Sequence, residues 1–472
     1  DARRLSGCPR AERVGTPRTT TVRSTPRIKR IKAHMLRTSF VGTLVRYGGG
    51  QVRGGAVFFR GSSGAAARAY LATDRTATAD DYYLEKGELT ASRFVFDGAG
   101  EMVDSGTLNA EAYQGWVEWV DPSTGEVRGS RRENSVLFLD KVINVDKTLS
   151  VAAVLDLRIA QQLDAALEQM AHELMAYAAS EMHTRVGPRG GQVWVPVEKL
   201  EAVTVAHRTS REGDPHRHLH LQFLNRVWAA GAWRALDTAE FVKHNAAMNR
   251  LGEAVLASHA GLQDALAQAG LSFDPATGAV VELAEAAEVM SKRAGQIAER
   301  RAQLVAQWEA EHPGQTPGEQ ILEGLDHLAW AQTRREKVPG ELPDEDKWRA
   351  EIAATGFVMP SGPRERAVVS WSQVDKSALI RAAVEQLETS RSAWSVADVS
   401  AAVSAEFSRT GVTDYPRPVG ELVREATEAL VAGRCTSIAP DVDPWTAPHH
   451  LKVLTTDQVI EAERTLQGLL LD

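Results

Sequence analysis

Apolar and polar positions alternate with the period of a β-strand in several short stretches of the first two thirds of the chain. "VLFLDKVINV" (136–145) is rich in apolar and β-branched residues, which predicts a buried strand. "EAVTVAHRTS" (201–210) and "HLHLQFLNRVW" (218–228) predict two more strands, the second turning through "AAG" into "AWRALD" as a hairpin. "WVDPSTGEV" and "SFDPATGAVVEL" predict further hairpins, because Asp-Pro and Gly favour tight turns.

Helical periodicity separates these strands. In residues 148–182 the apolar side chains of Leu163, Leu167, Met170 and Leu174 recur three or four positions apart, which predicts one long amphipathic helix. A second helical stretch covers 282–311. The alternation predicts an α/β (α+β) fold in which an antiparallel sheet is backed by helices, followed by a smaller helical C-terminal region.

Composition shifts divide the chain into four parts. Residues 1–34 hold ten Lys/Arg against Asp1 and Glu12, which predicts a disordered basic extension, either a native tail or sequence upstream of the true start. Strand and helix patterns fill 35–337, prolines and mixed charge indicate a linker over 338–366, and 367–472 is mostly helical.

Composition excludes several classes of protein. No apolar run approaches the roughly 20 residues of a membrane span, so no membrane insertion is expected. Two cysteines in 472 residues fit a reducing cytoplasm and exclude a cysteine-based zinc site. The chain contains no G-x-x-x-x-G-K-[ST] sequence, so it does not encode a P-loop motor.

The candidate chemistry lies in "HRTSREGDPHRHLHLQFLN" (207–225). His218 and His220 share one face of a strand, and His216 joins them if the strand begins that early. His207 ends the preceding strand and meets that face if the two strands are neighbours. Three neutral imidazoles leave coordination positions open, which indicates a catalytic metal centre.

The competing interpretation is a set of surface histidines on an edge strand. Leu219, Leu221 and Phe223 alternate with the histidines and predict that the opposite face of the strand is buried. The imidazole face then covers a site, which favours metal binding.

The spaced motif resembles the histidine motif of TrwC/TraI-type (MobF) conjugative relaxases of the HUH endonuclease superfamily. There a histidine precedes "TSR" and "DP", and then H-x-H and an asparagine, which Asn225 matches. His216 falls where the family has no ligand. The resemblance spans roughly 35–337, implies a ferredoxin-like palm, and assigns the metal to His207, His218 and His220.

The resemblance also implies a tyrosine nucleophile. "AYLATDRTATADDYYLEKGE" (69–88) is similar to the family's tyrosine motif, although its first tyrosine pair is reduced to Tyr70 followed by Leu71. We expect Tyr70 to cut first, with Tyr82 or Tyr83 acting second. A phenol is a weak nucleophile at neutral pH, so it needs a proton acceptor or a polarised phosphate.

Asp140, in the strand 136–145, matches the family's acidic residue. The resemblance implies that it holds a metal-bound imidazole and assists deprotonation of the tyrosine, whereas a strand-end turn or a salt bridge to Lys141 is the structural alternative. The implied product is a 5′-phosphotyrosine with a free 3′-OH. The donor set leaves Mg²⁺, Mn²⁺, Zn²⁺ and Ni²⁺ open.

The expected partner is single-stranded DNA beside a hairpin at an origin of transfer, because the nucleophile reaches only an unpaired strand. Cations and aromatic rings typically line such grooves. "HHLKVLTTDQVIEAERTLQGLLLD" (449–472) resembles the stretch that precedes a helicase in relatives. We interpret the chain either as a relaxase truncated before its motor or as one that recruits a separate helicase, with a coupling protein as a further expected partner. The candidate DNA-binding residues are Arg208, Arg211, Asn225, Arg234, Lys292 and Arg293, with Trp228 and Trp233 nearby.

Two other functions remain open. A rolling-circle replication initiator shares the chemistry, but its tyrosine usually follows the histidines, whereas here the tyrosines come first. A non-catalytic DNA-binding regulator descended from relaxases is the alternative from another class. The complete set of histidines, acid and tyrosines weighs against it.

Overall fold

A computed structural model of the protein describes residues 55–61, 63–65, 67–68, 90–210, 212–334, 344–447 and 451–471. The predictions for residues 1–34, for Tyr70, Tyr82 and Tyr83, and for Arg211 lie outside these residues. They stay predictions.

The predicted antiparallel sheet is confirmed. Its strands run in the order β1-β4-β8-β7-β2-β3, and a short hairpin of β9 and β10 joins it at β7. The strands are β1 (Ala56–Arg60), β2 (Thr90–Asp97), β3 (Met102–Asn109), β4 (Val136–Asn144), β7 (Lys199–Thr209), β8 (Pro215–Leu224), β9 (Val227–Ala229) and β10 (Ala232–Arg234). The smaller pairs are β5 (His183–Val186) with β6 (Val193–Pro196), β11 (Phe273–Asp274) with β12 (Ala279–Val280), β13 (Val369–Ser370) with β14 (Val412–Asp414), and β15 (Thr436–Ser437) with β16 (Leu454–Thr455).

Helices flank the sheet. They are α1 (Ala110–Val117), α2 (Lys147–Leu155), α3 (Leu157–Glu181), α4 (Thr238–Ser258), α5 (Ala260–Gln268), α6 (Ala284–Val289), α7 (Lys292–Glu311), α8 (Glu319–Gln332), α9 (Glu345–Ala354), α10 (Lys376–Ser390), α11 (Val396–Ser408), α12 (Val419–Arg434) and α13 (Asp457–Leu471). Among the described helices, none is both long and apolar enough to cross a bilayer.

The long amphipathic helix predicted within 148–182 is present as α3, which carries Leu163, Leu167, Met170 and Leu174, but it is shorter than predicted because the chain breaks at Asp156. Its backbone is extended, and its carboxylate accepts a hydrogen bond from the backbone N–H of Arg158 at 2.8 Å. That contact caps α3 and ends α2. The stretch 282–311 is likewise divided, into α6 and α7.

The two faces of the main sheet have different surroundings. On one face, β8 buries Leu219, Leu221 and Phe223 in the main hydrophobic core beneath the helices, as predicted. On the other face, a second cluster that includes Trp116 and Leu224 covers one end of β8. The histidines also lie on this second face, because His216, His218 and His220 alternate with the core residues of β8. They lie toward the other end of the strand.

The C-terminal helices share the main core. α11 packs against α4, and its Val399 and Phe407 are buried there. The range predicted as a linker contains α9, whose Trp348 indole N–H donates to the carbonyl of Gly213 at 2.8 Å. The division of the chain into domains stays a prediction.

A fully buried lysine lies on the core face of β4. The Lys141 amino group donates to the Oδ1 atoms of Asn245 and Asn249 at 2.8 and 2.7 Å. Burial lowers the pKa of Lys141 to about 7. As the pH falls from 10.5 toward 7, the unfolded chain therefore takes up a proton that the folded protein does not, and stability is lost over that window.

We therefore expect the stability of Lys141→Met, relative to that of the wild type, to be higher at pH 7 than at pH 9.5. The free energy of unfolding of the variant minus that of the wild type should be roughly 3 kcal/mol larger at pH 7 than at pH 9.5. Urea unfolding at both pH values measures it. Loss of the two asparagine contacts adds an offset that is independent of pH, so a difference that stays constant with pH would contradict a neutral buried lysine.

Candidate metal centre

Three imidazoles converge where β7 and β8 pair. His207 lies directly opposite His218 in the antiparallel register, and His220 is one pleat further along β8. Their candidate ligand nitrogens all lie within 4.8 Å of one another, and His207 Nδ1 is 3.3 Å from His218 Nε2. The structure thus brings together the three histidines that the sequence singled out.

The second imidazole is held by the backbone. β8 begins at Pro215, so His216 lies in the strand and on the same face as His218. The carbonyl oxygen of His216 accepts from Nδ1–H of His218 at 2.9 Å. His218 therefore has its lone pair on Nε2, the atom that a cation would take.

The third imidazole is held by a carboxylate. Asp140 on β4 lies with its two oxygens 2.8 and 3.0 Å from Nδ1 of His220, and both residues are buried. This contact places the proton on Nδ1 and the lone pair on Nε2. The alternative in which Asp140 pairs with Lys141 does not hold, because Lys141 contacts asparagines on α4, on the opposite face of the sheet.

The surroundings of two rings on β8, His218 and His216, favour their neutral form. Burial, together with the neighbouring His207 and His220, holds the pKa of His218 well below its ordinary value. Burial and His218 do the same for the pKa of His216. A metal competes with protons for an imidazole, so low pKa values leave the nitrogens available at neutral pH.

The donor set fits a divalent cation. Three imidazole nitrogens converge, two of them with the other ring nitrogen already hydrogen-bonded, and three ligands leave open positions. Nitrogen donors alone do not select one metal.

Sequence reasoning missed a cation beside the histidines. Lys147, in the first turn of α2, donates from Nζ to the carbonyl of Pro215 at 2.8 Å, and burial lowers its pKa to about 8. A sequence signal for the position of Lys147 exists, because "DK" after a buried strand is typical of a helix start. Asp146 caps α2, and Lys147 therefore lies in its first turn.

Three of the predicted DNA-binding cations have protein partners. Arg208 lies 3.4 Å from the carboxylate of Asp164. Lys292 bridges Glu351 and Asp214 at 2.7 and 3.2 Å. Arg293 donates to backbone carbonyls at the end of α8. Their role toward DNA stays a prediction.

The remaining candidates stabilise the end of β8 and its hairpin. Asn225 is buried, and its side-chain amide donates to the carbonyl of Val136 at 2.9 Å. Arg234 donates to the carbonyl of Ala229 at 2.9 Å. The rings of Trp228 and Trp233 meet edge-on with centroids 5.5 Å apart. DNA binding by these residues also stays a prediction.

Comparison with known proteins gives a family match. Residues 64–355 match the family described as TrwC relaxase. The comparison with curated proteins found no match.

Among solved structures, the fold is similar to "Conjugative Relaxase TRWC in complex with ORIT dna, cooper-bound structure", at 22% identity and a TM-score of 0.49, covering 65% of this chain and 99% of that one. The metal-free complex of the same relaxase gives 20% identity and a TM-score of 0.47, covering 65% of this chain and 100% of that one. Its complex with a 27-mer DNA that comprises the recognition hairpin and the cleavage site gives 21% identity and a TM-score of 0.47, covering 65% of this chain and 99% of that one.

The family match extends over more than half of the 472 residues and includes β4, β7, β8 and the three histidines. The chain belongs to the TrwC relaxase family.

Proposed function

We propose that this relaxase cuts and reseals one strand of an origin of transfer through a tyrosine-linked intermediate, and so starts conjugative DNA transfer. The observation that carries the proposal is the convergence of His207, His218 and His220, with Asp140 fixing one ring, in a chain of this family. The DNA is a single strand beside a hairpin; the DNA named for the solved relaxase complex comprises a recognition hairpin and a cleavage site.

The chemistry is a transesterification. The phenol oxygen of Tyr70 forms a bond to the scissile phosphorus, and the bond from phosphorus to the 3′ oxygen breaks. The phenol loses its proton, and the departing 3′ oxygen gains one. The phosphodiester energy is retained in the phosphotyrosine, so the reverse reaction reseals the strand without ATP.

The histidines and Asp140 prepare the centre for this reaction. A bound divalent cation would offset the charge that builds on the phosphate oxygens. His207, His218 and His220 would hold it through their imidazole nitrogens. Asp140 keeps the proton of His220 on Nδ1, so that Nε2 stays a ligand.

Tyr82 or Tyr83 would act in a second cleavage, and Arg208, Arg211 and Lys292 would contact DNA phosphates. Two cysteines in the chain support a cytoplasmic location. A helicase and a coupling protein would complete the transfer machinery.

The test is a covalent adduct. The protein is incubated with an oligonucleotide carrying the origin hairpin and cleavage site, with Mg²⁺, Mn²⁺, Zn²⁺ or Ni²⁺, and resolved on a denaturing gel. We expect a slower band that carries both protein and DNA and disappears with chelator. Hairpin binding without an adduct under any of these metals would instead support a non-catalytic regulator.

Single Tyr→Phe changes assign the nucleophile. Tyr70→Phe should remove the adduct of the first cleavage, because phenylalanine lacks the attacking oxygen. Tyr82→Phe and Tyr83→Phe serve as matched controls and should retain that first adduct. An adduct that survives Tyr70→Phe and is lost in either control would reassign the role.

A further inference from the structure

β8 presents a fourth imidazole beside the three that converge. The ring of His216 stacks on the ring of His218, with centroids 4.5 Å apart and planes inclined by 26°. On the same ring, His207 makes an edge contact at 5.0 Å and 72°. The His218 imidazole is therefore in contact with one stacked ring and one edge-on ring.

The stacked ring is itself anchored. Nε2 of His216 donates to Oδ1 of Asn144 at 3.2 Å. Asn144 ends β4, directly opposite His218 in the register between β4 and β8. The anchor thus comes from the strand that also supplies Asp140, so β4 secures His218 as well as His220.

An imidazole at this position is costly. With the proton on Nε2, Nδ1 of His216 is a buried acceptor, and no donor in the described part of the chain reaches it. An apolar ring would stack equally well without leaving a buried polar atom. What the imidazole adds is the bond to Asn144, which fixes the plane of the ring against His218.

We propose that His216, anchored by Asn144, is a positioning residue that holds the imidazole of His218 in its metal-binding orientation. The inference rests on the proposed metal centre and adds a residue outside its ligand set. A ring fixed before the cation arrives loses less rotational freedom on binding, and groups that orient a ligand in this way typically change metal affinity 10- to 100-fold.

The experiment titrates metal-free protein with Co²⁺ and follows the visible absorption of the bound ion. We expect His216→Ala to weaken Co²⁺ binding about tenfold and to alter the band shape. His216→Phe restores a stacked ring and should recover part of the affinity. Asn144→Ser removes the anchor while leaving both imidazoles in place, and should weaken binding by a smaller factor.

Far-UV circular dichroism confirms that each variant is folded, and Asn144→Ser alone decides the question if His216→Ala is not. Wild-type affinity and band shape in every folded variant would overturn the positioning role. His207→Ala separates this failure from failure of the proposed centre: if it too binds Co²⁺ like the wild type, the triad is not the metal site.

Discussion

Replacing His207 with alanine is expected to lower DNA nicking about 100- to 1,000-fold while leaving hairpin binding within about twofold. The variant keeps His218 and His220 but loses the imidazole that β7 contributes, so the cation would be held from one strand only. The stabilisation of charge on the scissile phosphate is lost with it. Nicking of a labelled origin oligonucleotide and fluorescence anisotropy of the hairpin measure the two quantities.

Asp140→Asn is the graded control for this prediction. It leaves all three imidazoles in place and replaces the carboxylate that lies 2.8 Å from His220. Metal affinity should fall roughly 10- to 100-fold, and nicking should recover at high metal concentration, whereas His207→Ala should not recover. Equal loss of nicking and hairpin binding in His207→Ala would point to a folding defect, whereas wild-type nicking by the folded variant would contradict the assignment.

The local parts of this site were predictable from the sequence. Period-two alternation placed His218 and His220 on one face of β8 and Leu219 and Leu221 on the other, and both faces are as expected. The meeting of His207 with the histidine face was conditional on the pairing of β7 with β8, and the two strands do pair. Side-chain alternation in β4 likewise separates Asp140 from Lys141.

Contacts between distant segments were not predictable. β4 lies beside β8, and the anchoring of His216 by Asn144 depends on that register, which no periodicity encodes. The sequence predicts that Arg208 is a DNA-binding cation, but it does not show that Arg208 lies beside the carboxylate of Asp164 on α3. The break at Asp156 was missed because the apolar spacing continues through it, whereas the extended backbone and the capping hydrogen bond of Asp156 separate the two helices.

The largest effect on stability is expected at Glu201, on the same strand as His207. Its buried carboxylate lies 3.0 Å from Arg93 Nη2 and 2.8 Å from Arg128 Nη1, and it accepts a hydrogen bond from the Trp116 indole at 3.3 Å. Arg93 and Arg128 are buried as well. Glu201→Gln keeps the shape but removes the charge shared by both guanidinium groups. The free energy of unfolding, measured with urea, should fall by about 3–5 kcal/mol.

Asp104→Asn is the matched control, because it removes a second carboxylate from the same Arg93. Asp104 pairs with Arg93 at 2.8 Å, but its side chain is 58% exposed, whereas that of Glu201 is fully buried. Water replaces an exposed partner at little cost, so this change should lower the free energy of unfolding by at most about 1 kcal/mol. Burial, and not the number of ion pairs, then sets the size of the loss. If the two variants were equally stable, other groups would stabilise the charges of Arg93 and Arg128. Glu201 would then not be the residue that holds β7 to β2 and to the turn that carries Arg128.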